Sequence, residues 1–416
     1  METLFLSPVL ILTIAGILGL FMAWGIGAND VANAMGTSVG SKALTLKQAI
    51  IIAAIFEFLG AYLAGGEVTS TIRKGIVDPQ IYTTDLNIFI IGMMSSLLAA
   101  GSWLYIASNK GWPVSTTHSI VGAIVGFVVI TKGIDAVSWS KVGEIASSWI
   151  TSPLIAGILA FFIYLSAQKL IINAKNQVAA AIFYIPFYSF FVTGVIAQVI
   201  ARKGLSHIGL SWSDDEILVF TTLMALLAGG LTSIVLRLNK ESISSKGGIE
   251  YAFGILMIVT ACAMAFAHGS NDVANAIGPV AAIISVVNSN DLSSTAPINP
   301  AVLLLGGAGI VFGLATLGYK VIKTVGEKIT KLTPSLGFSA EMAAASTVVF
   351  ASYLGFPIST THTLIGGVIG VGLANGAKNL DWSSVYRIFA SWIITIPVGA
   401  VLTILFYVLL RVMFGV

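Results

Sequence analysis

Two short stretches of this sequence place a carboxylate and two carboxamides inside otherwise apolar segments. GANDVANAMG begins at Gly27, and GSNDVANAIG begins at Gly269. Ionisable groups within long apolar segments are costly to bury, and they usually mark a substrate path, an ion site or a proton relay. Carboxylate and amide oxygens are hard ligands that suit an alkali cation. The two stretches therefore predict alkali-cation ligands at Asn29, Asp30, Asn33, Asn271, Asp272 and Asn275.

Glycine and proline around these stretches predict that the helices are interrupted there. The residues concerned are Gly25, Gly27, Gly36, Gly269, Gly278 and Pro279. Glycine tolerates non-helical dihedral angles, and an unwound turn frees backbone carbonyl groups to bind a cation. We therefore expect unwound helices at both stretches, with carbonyl oxygens as further ligands. The alternative is that the Asn and Asp side chains only hydrogen-bond neighbouring helices.

A second repeated stretch has the opposite electrostatic character. It reads GWPVSTTH from Gly111 and GFPISTTH from Gly355. Gly and Pro interrupt a span, and Ser and Thr then open a new helical run, which is typical of a capped helix N-terminus. Such an end exposes unpaired N–H groups and binds anions. Both copies together predict an oxyanion site at Ser115, Thr116, Thr117, Ser359, Thr360 and Thr361, unless these hydroxyls bond only to their own backbones.

Four more polar side chains occur in or beside apolar runs. His118 and His362 end the two STTH motifs, and we interpret them as hydrogen bonders between helices rather than proton carriers. Glu57 lies in the middle of a predicted span and is a functional candidate. Glu341 heads an apolar run and could lie either deep in the membrane or at the end of a span. It aligns with Leu97 in the other copy, so the two glutamates are not repeat mates.

Composition indicates an integral membrane protein. Of the 416 residues, 9% are charged and 56% are hydrophobic, and the mean hydropathy is +0.95, whereas soluble proteins are about 25% charged. The net charge of +3 comes without a basic stripe, so no nucleic-acid partner is expected. The one cysteine, Cys262, excludes an internal disulfide and a cysteine-clustered metal site. Long unbroken apolar runs predict about ten to twelve spanning helices and no barrel.

The repeated motifs predict an internal duplication. Asp30 precedes Ser115 by 85 residues and Asp272 precedes Ser359 by 87, and Trp139 and Trp149 echo Trp382 and Trp392. The predicted organisation is a first repeat at 1–165, two connecting spans and a loop at 166–250, and a second repeat at 251–416. If each repeat crosses the membrane an odd number of times, the halves are inverted. The fold class is then an all-α polytopic membrane protein of about twelve helices, with inverted repeats and broken or re-entrant helices at the midplane.

The two motif pairs resemble the inorganic phosphate transporter (PiT) family, whose hallmark is a GANDxAN-like motif in both halves. The resemblance covers nearly the whole chain, although Ser270 stands where the first copy has Ala28. It implies a twelve-span homodimer in the lipid bilayer of the cell (inner) membrane that carries inorganic phosphate with a coupling cation. On this sequence it implies coupling ions at Asp30 and Asp272 with their flanking Asn residues, phosphate at the two STT runs, and transport-essential acids at Glu57 and Glu341.

Charge favours import of phosphate with about two sodium ions as the coupling ions and no other cofactor. Each negative charge moved against 100 mV costs about 2.3 kcal/mol, which two monovalent cations would offset. Sodium is favoured over protons because an amide oxygen binds sodium but carries no proton. A proton-coupled phosphate permease or a sulfate permease of the same fold stays an alternative, as does a passive channel. An intramembrane hydrolase using Asp30 with Asp272, or Ser115 with His118, would need one site rather than two copies, so we expect a transporter and not an enzyme.

Overall fold

Helices make up almost all of the part of the chain that the structure, a computed structural model, describes: residues 4–75, 79–204, 212–289, 298–328, 332–376 and 380–416. An apolar segment in a bilayer must satisfy its own backbone hydrogen bonds, and a helix does so within one segment. The α-helices are α1 Pro8–Gly40, α2 Leu46–Ala64, α3 Gly66–Gly75, α4 Leu86–Asn109, α5 Thr116–Lys132, α6 Trp139–Ala167, α7 Gln177–Val199, α8 Asp214–Leu238, α9 Lys240–Ser244, α10 Gly248–Ser289, α11 Pro300–Thr316, α12 Gly318–Lys328, α13 Pro334–Tyr353, α14 Thr360–Ala374 and α15 Trp382–Phe414.

Eight of the described helices are long and apolar enough to cross a membrane: α1, α2, α4, α6, α7, α8, α10 and α15. A ninth candidate is the pair α11 and α12, which is bent by 69° at a short break. Helices α5 and α14 are shorter apolar helices, as expected for segments that enter the membrane without spanning it. The predicted all-α polytopic membrane fold is confirmed. The count of about twelve spans, the inverted repeats and the division at 165 and 250 stay predictions.

The predicted helix breaks at the two STTH motifs are present. Chain turns separate α4 from α5 and α13 from α14, with Gly111 at φ +65° and Gly355 at φ +73°, where a side chain would be strained. Ser115 caps α5 by accepting a hydrogen bond from the backbone N–H of His118 at 3.2 Å. Ser359 caps α14 in the same way, from His362 at 3.2 Å. Both motifs therefore start helices inside the protein.

The predicted unwinding at the two NDVANA stretches is wrong. Helix α1 continues from Pro8 to Gly40 and α10 from Gly248 to Ser289, so both stretches lie inside unbroken helices. The glycines serve close packing instead: a Cβ on Gly27 would overlap the carbonyl oxygen of Ile310 in α11. A Cβ on Gly269 would overlap the carbonyl oxygen of Glu57 in α2. The cation ligands that these stretches offer are therefore side-chain oxygens rather than freed carbonyls.

Helices α7, α8 and α9 form a separate layer against the start of α10. A buried apolar cluster joins them, with Ile185 of α7, Leu236 of α8 and Ile243 of α9 packed around Phe253 of α10. Their outer surfaces are apolar and exposed, as a lipid-facing helix requires. This layer lies outside both predicted repeats. The predicted site residues all lie on or cap other helices.

Candidate functional site

The two aspartates of the repeated motif converge on one buried cluster. Asp30 on α1 and Asp272 on α10 are 1% and 0% exposed. His268, one helical turn before Asp272, lies between them, with Nε2 3.1 Å from Asp272 Oδ2 and 4.0 Å from Asp30 Oδ2. Its Nδ1 lies 3.3 Å from Oε1 of Glu57, which is also fully buried. One ligand atom from each of Asp30, His268 and Asp272 falls within 4.8 Å of the others, which is close enough to share a cation.

Several oxygens around this cluster lack a hydrogen-bond donor from the described protein. They are the Oδ1 atoms of Asp30, Asn271, Asp272 and Asn275, all of them buried. A buried acceptor without a partner is costly, and buried charges are normally paired or bound to a metal ion. Carboxylate and amide oxygens are the ligands that hard cations take in proteins. The second motif offers three such oxygens and the first offers one, from Asp30, and this donor chemistry fits an alkali cation.

Threonine hydroxyls from both STT runs surround the same point. Thr116 donates to Asp30 Oδ2 at 2.9 Å, and Thr360 donates to Asp272 Oδ2 at 2.7 Å. Thr117 donates to the carbonyl of Ile358 at 2.9 Å, and Thr361 donates to the carbonyl of Val114 at 3.3 Å. All four threonine hydroxyls therefore donate to protein acceptors. To bind an oxyanion, they would have to rotate away from these acceptors and donate to the oxyanion instead.

The second asparagine of each motif crosses to the other copy. Asn33 Nδ2 donates to Thr360 at 3.2 Å and to Thr361 at 2.8 Å. Asn275 Nδ2 donates to Thr116 and to Thr117, both at 3.2 Å. Each pair of hydroxyls is therefore held by its own half and by the other half. The predicted cation ligands and the predicted oxyanion donors form one site.

The first asparagine of each motif holds the turn before a capped helix. Asn29 donates to the carbonyl of Trp112 at 2.9 Å and accepts from the N–H of Val114 at 3.1 Å. Asn271 donates to the carbonyl of Phe356 at 3.1 Å. These contacts fix where Ser115 and Ser359 begin their helices. The amide oxygen of Asn271 has no donor from the described protein, whereas that of Asn29 already accepts one hydrogen bond.

The two motif histidines connect the halves behind the site. His118 Nδ1 lies 3.1 Å from the carbonyl of Trp392, and His362 Nδ1 lies 3.2 Å from the carbonyl of Trp149. The His118 ring packs against Trp149 at an interplanar angle of 44°, with centroids 3.8 Å apart. The His362 ring stacks on Trp392, with centroids 3.4 Å apart. Each histidine is therefore within hydrogen-bond distance of another helix, and its role as a hydrogen bonder rather than a proton carrier stays a prediction. The repeated tryptophans take part in the same arrangement.

Glu341 lies in a separate buried cluster. It is fully buried within α13, seven residues after the helix begins, and its depth in the membrane stays a prediction. Its carboxylate accepts hydrogen bonds from Thr37, from Ser38 at 2.6 Å and from Thr260 at 2.7 Å. Thr37 lies two turns beyond Asp30 on α1, which corresponds to about 10 Å along the helix axis. The structure thus brings Glu57, but not Glu341, to the aspartate cluster.

His268 is the site residue that sequence reasoning missed. From Tyr251 to Asn290 the sequence contains no Asp, Glu, Lys or Arg other than Asp272, and formal charge does not distinguish His268. The signal that could have found it is its spacing. A residue four positions before Asp272 shares its helix face. Thr260, which donates to Glu341, was missed because a lone threonine in an apolar helix is common.

Comparisons with known proteins find a matching family model, similar sequences and a similar solved structure. The family model described as "Phosphate transporter family" matches residues 26–403. A protein of Haemophilus influenzae named as a phosphate permease is 48% identical over 407 residues, covering 97% of each chain. "Inorganic phosphate transporter 2-1, chloroplastic" of Arabidopsis thaliana is 44% identical, covering 93% of this chain and 70% of the plant protein. A solved structure titled "The sodium-dependent phosphate transporter" superposes with a TM-score of 0.90 at 39% identity, covering 97% of this chain and 99% of that one.

Proposed function

Because the chain belongs to the phosphate transporter family, we propose that it imports inorganic phosphate by symport with about two sodium ions per phosphate. Its relatives are transporters and permeases, and the protein is a multi-pass membrane transporter rather than an enzyme. The structural neighbour is named for sodium dependence, which supports sodium as the coupling ion. We place the transporter in the cell (inner) membrane as a homodimer, as the family resemblance implies.

One observation carries the proposal: partnerless oxygens of both NDVANA motifs lie beside the hydroxyls of both STT runs. In this scheme Asp30 and Asn33 serve one sodium ion together with Asn29. Asp272, Asn271 and Asn275 serve the second. Sodium would draw the carboxylate oxygens away from the threonines, since Thr116 and Thr360 now donate to them. The released hydroxyls can then donate to phosphate.

The phosphate site in this scheme is the gap between the starts of α5 and α14. Ser115, Thr116 and Thr117 stand at one helix N-terminus, and Ser359, Thr360 and Thr361 stand at the other. Each N-terminus presents unpaired N–H groups and a partial positive charge, which favours an anion. Two opposed N-termini suit a tetrahedral oxyanion better than a planar one, because donors approach from two sides.

Uptake of labelled phosphate into proteoliposomes tests the function. With internal and external pH clamped, an inward sodium gradient should drive accumulation above equilibrium, and an equal potassium gradient should not. A tenfold excess of sulfate should leave uptake largely intact. Equal uptake in sodium and potassium would overturn sodium coupling, and full competition by sulfate would favour a sulfate permease.

Proton coupling is the second candidate because His268 connects Asp272 with Glu57. A histidine between carboxylates is an arrangement that proton relays use. If protons drive uptake, an inward pH gradient should support accumulation without sodium, and Glu57→Gln should abolish that uptake. If sodium drives uptake, Glu57→Gln should lower the rate while the sodium requirement remains.

A further inference from the structure

The layer formed by α7, α8 and α9 contains a cavity of about 760 Å³ that the transport site does not use. It lies between the start of α7 and the end of α8, and Lys240 of α9 also lines it. Pockets that bind small molecules typically have volumes of about 300–1,000 Å³. The cavity is therefore large enough for a ligand of that class.

One end of the cavity is basic. Arg237, in the last turn of α8, and Lys240, at the start of α9, both line it. No acidic residue is among its described lining residues, and neither cation forms an ion pair with a described acidic side chain. Ser233 and Ser244 add hydroxyl groups nearby. This end has the charge and donors to hold an anionic group.

The other end of the cavity is apolar. Phe183 and Phe187 line it from successive turns of α7, with ring centroids 5.5 Å apart and side chains 60% and 51% exposed. Ile182 lies beside them. The outer faces of α7 and α8 are apolar and exposed in the same way, so this end opens toward lipid. An anion alone would leave these aromatic rings without a role.

The basic end lies at the lysine-rich face of the molecule. Ala43, Leu170, Ile172, Ile243 and Ile249 pack in one cluster, so the segments 41–47, 168–176 and 237–250 share one end of the helices. These segments carry seven Lys or Arg residues and two Glu residues. The positive-inside rule assigns such a face to the cytoplasm. Arg237 at the end of its span therefore stands at headgroup depth.

We propose that this cavity binds an anionic phospholipid of the cytoplasmic leaflet. Arg237 and Lys240 hold the headgroup phosphate, and Phe183 and Phe187 contact an acyl chain. Basic pockets between spanning helices on the cytoplasmic side suit anionic lipid headgroups. The polar segment that contains both cations lies outside the two predicted repeats. Lipid binding would be a function of this segment that is independent of transport.

The helix corner that carries the cations is fixed in place. Tyr251 of α10 donates to Asn239, which directly precedes Lys240, at 3.1 Å. Thr232 of α8 donates to Ser189 of α7 at 2.9 Å, which joins the two walls of the cavity. A pre-formed site loses little conformational freedom when a ligand binds. The cavity is therefore a built site rather than a gap between mobile helices.

The test is lipid binding to the delipidated full-length protein in a neutral detergent. Native mass spectrometry and the thermal unfolding midpoint are measured with phosphatidylglycerol, with phosphatidylcholine and with inorganic phosphate. Phosphatidylglycerol should remain bound and raise the midpoint, and phosphatidylcholine should do neither. The variant R237Q/K240Q should weaken phosphatidylglycerol binding by about tenfold to thirtyfold.

Two further variants make the result specific. K47Q/K246Q removes the same charge from the same face away from the cavity, and it should bind phosphatidylglycerol as the wild type does. F183A/F187A should weaken phosphatidylglycerol binding although both cations remain. Phosphate uptake by R237Q/K240Q in phosphatidylcholine vesicles should match the wild type, which shows that the variant is folded.

Several outcomes would overturn the proposal. Equal binding of the two lipids would show that the site does not select an anionic headgroup. Equal losses of phosphatidylglycerol binding in R237Q/K240Q and K47Q/K246Q would show that binding depends on surface charge alone. Unchanged binding by F183A/F187A would remove the acyl-chain contact. Stabilisation by inorganic phosphate that disappears in R237Q/K240Q, without any effect of lipid, would make the cavity a simple anion site.

Discussion

Each aspartate of the site divides its two carboxylate oxygens between different neighbours. Oδ2 of Asp30 accepts from Thr116, and Oδ2 of Asp272 accepts from Thr360. The Oδ1 atom of each has no donor from the described protein. The same carboxylate can therefore bind a cation and control a hydroxyl that faces the anion. Under the proposed assignment, sodium would act directly on phosphate binding.

Asp30→Asn and Asp272→Asn test this arrangement. Each change removes a negative charge but keeps an oxygen, so we expect the apparent sodium affinity of phosphate uptake to fall by about tenfold to a hundredfold, for a loss of about 1.5–3 kcal/mol. Uptake rates are measured against sodium concentration at fixed phosphate. Asp135→Asn, at an exposed position, is the control. Wild-type sodium dependence in both site variants would contradict the assignment.

Thr117→Val and Thr361→Val test the oxyanion donors. Each variant loses one hydroxyl of the pair that the opposite asparagine holds, so the phosphate KM should rise by about tenfold. The matched control is Thr363→Val. The Thr363 hydroxyl is also buried, but it donates to the backbone carbonyl of Ser359, one helical turn earlier in the same segment. A KM that rises equally in all three variants would show general damage to α14 and α5 rather than lost phosphate contacts.

Most of the site residues could be predicted because their motifs occur twice in the sequence. His268 could not be predicted in this way. Polar groups in apolar runs attract attention when they occur twice at equal spacing, as Asp30 and Asp272 do. His268 has no such copy, because Ile26 stands at its place in the first motif. Its importance depends on its distance from Asp30 and Glu57, which lie on other helices. Only the packing of α1, α2 and α10 could show that.

At the scale of the elements, the site is built from two close helix crossings that differ chemically. Gly27 lets α1 approach the backbone of Ile310, and Gly269 lets α10 approach the backbone of Glu57. Ile26 and Ile310 pack at the first crossing, both fully buried. The second crossing has His268 and Glu57 instead. One crossing therefore carries an ionisable pair, and the other carries two apolar side chains.

Gly27→Ala and Gly269→Ala should destabilise the protein at these crossings. A methyl group at either position would overlap a backbone carbonyl, which cannot move without shifting its helix, and such overpacking costs about 1–3 kcal/mol. The thermal unfolding midpoint in detergent measures this effect. Gly230→Ala in α8, where nothing lies within 4 Å of the added group, should leave the midpoint unchanged or raise it slightly. Equal midpoints in all three variants would refute the close crossings.

Local chemistry predicted the helix starts but not the course of the helices through the aspartate motifs. Gly, Pro and Ser occur together at the STTH motifs, and their dihedral and capping preferences act over a few residues. The glycines of the NDVANA motifs suggested unwinding, although they permit contact with α2 and α11. Those contacts join residues far apart in the sequence. A single sequence cannot distinguish a glycine that unwinds a helix from one that admits a neighbour.

For the whole molecule, the two copies form one site because each half holds the other. Asn33 of the first copy reaches the hydroxyls of the second, and Asn275 reaches those of the first. Behind the site, His118 and His362 each contact a backbone carbonyl of the other half in the same reciprocal way. Under the proposed assignment, a cation bound at one motif would act on the anion donors of both. The molecule should load sodium and phosphate together, with neither moving alone.

The coupled flux of sodium and phosphate tests the central claim most directly. Proteoliposomes containing the wild-type protein are given labelled sodium and labelled phosphate, with pH and membrane potential clamped, and initial uptake of both is counted. The account predicts that phosphate brings in about two sodium ions for each phosphate and that neither enters without the other. Phosphate accumulation without sodium entry, driven instead by a pH gradient, would contradict it.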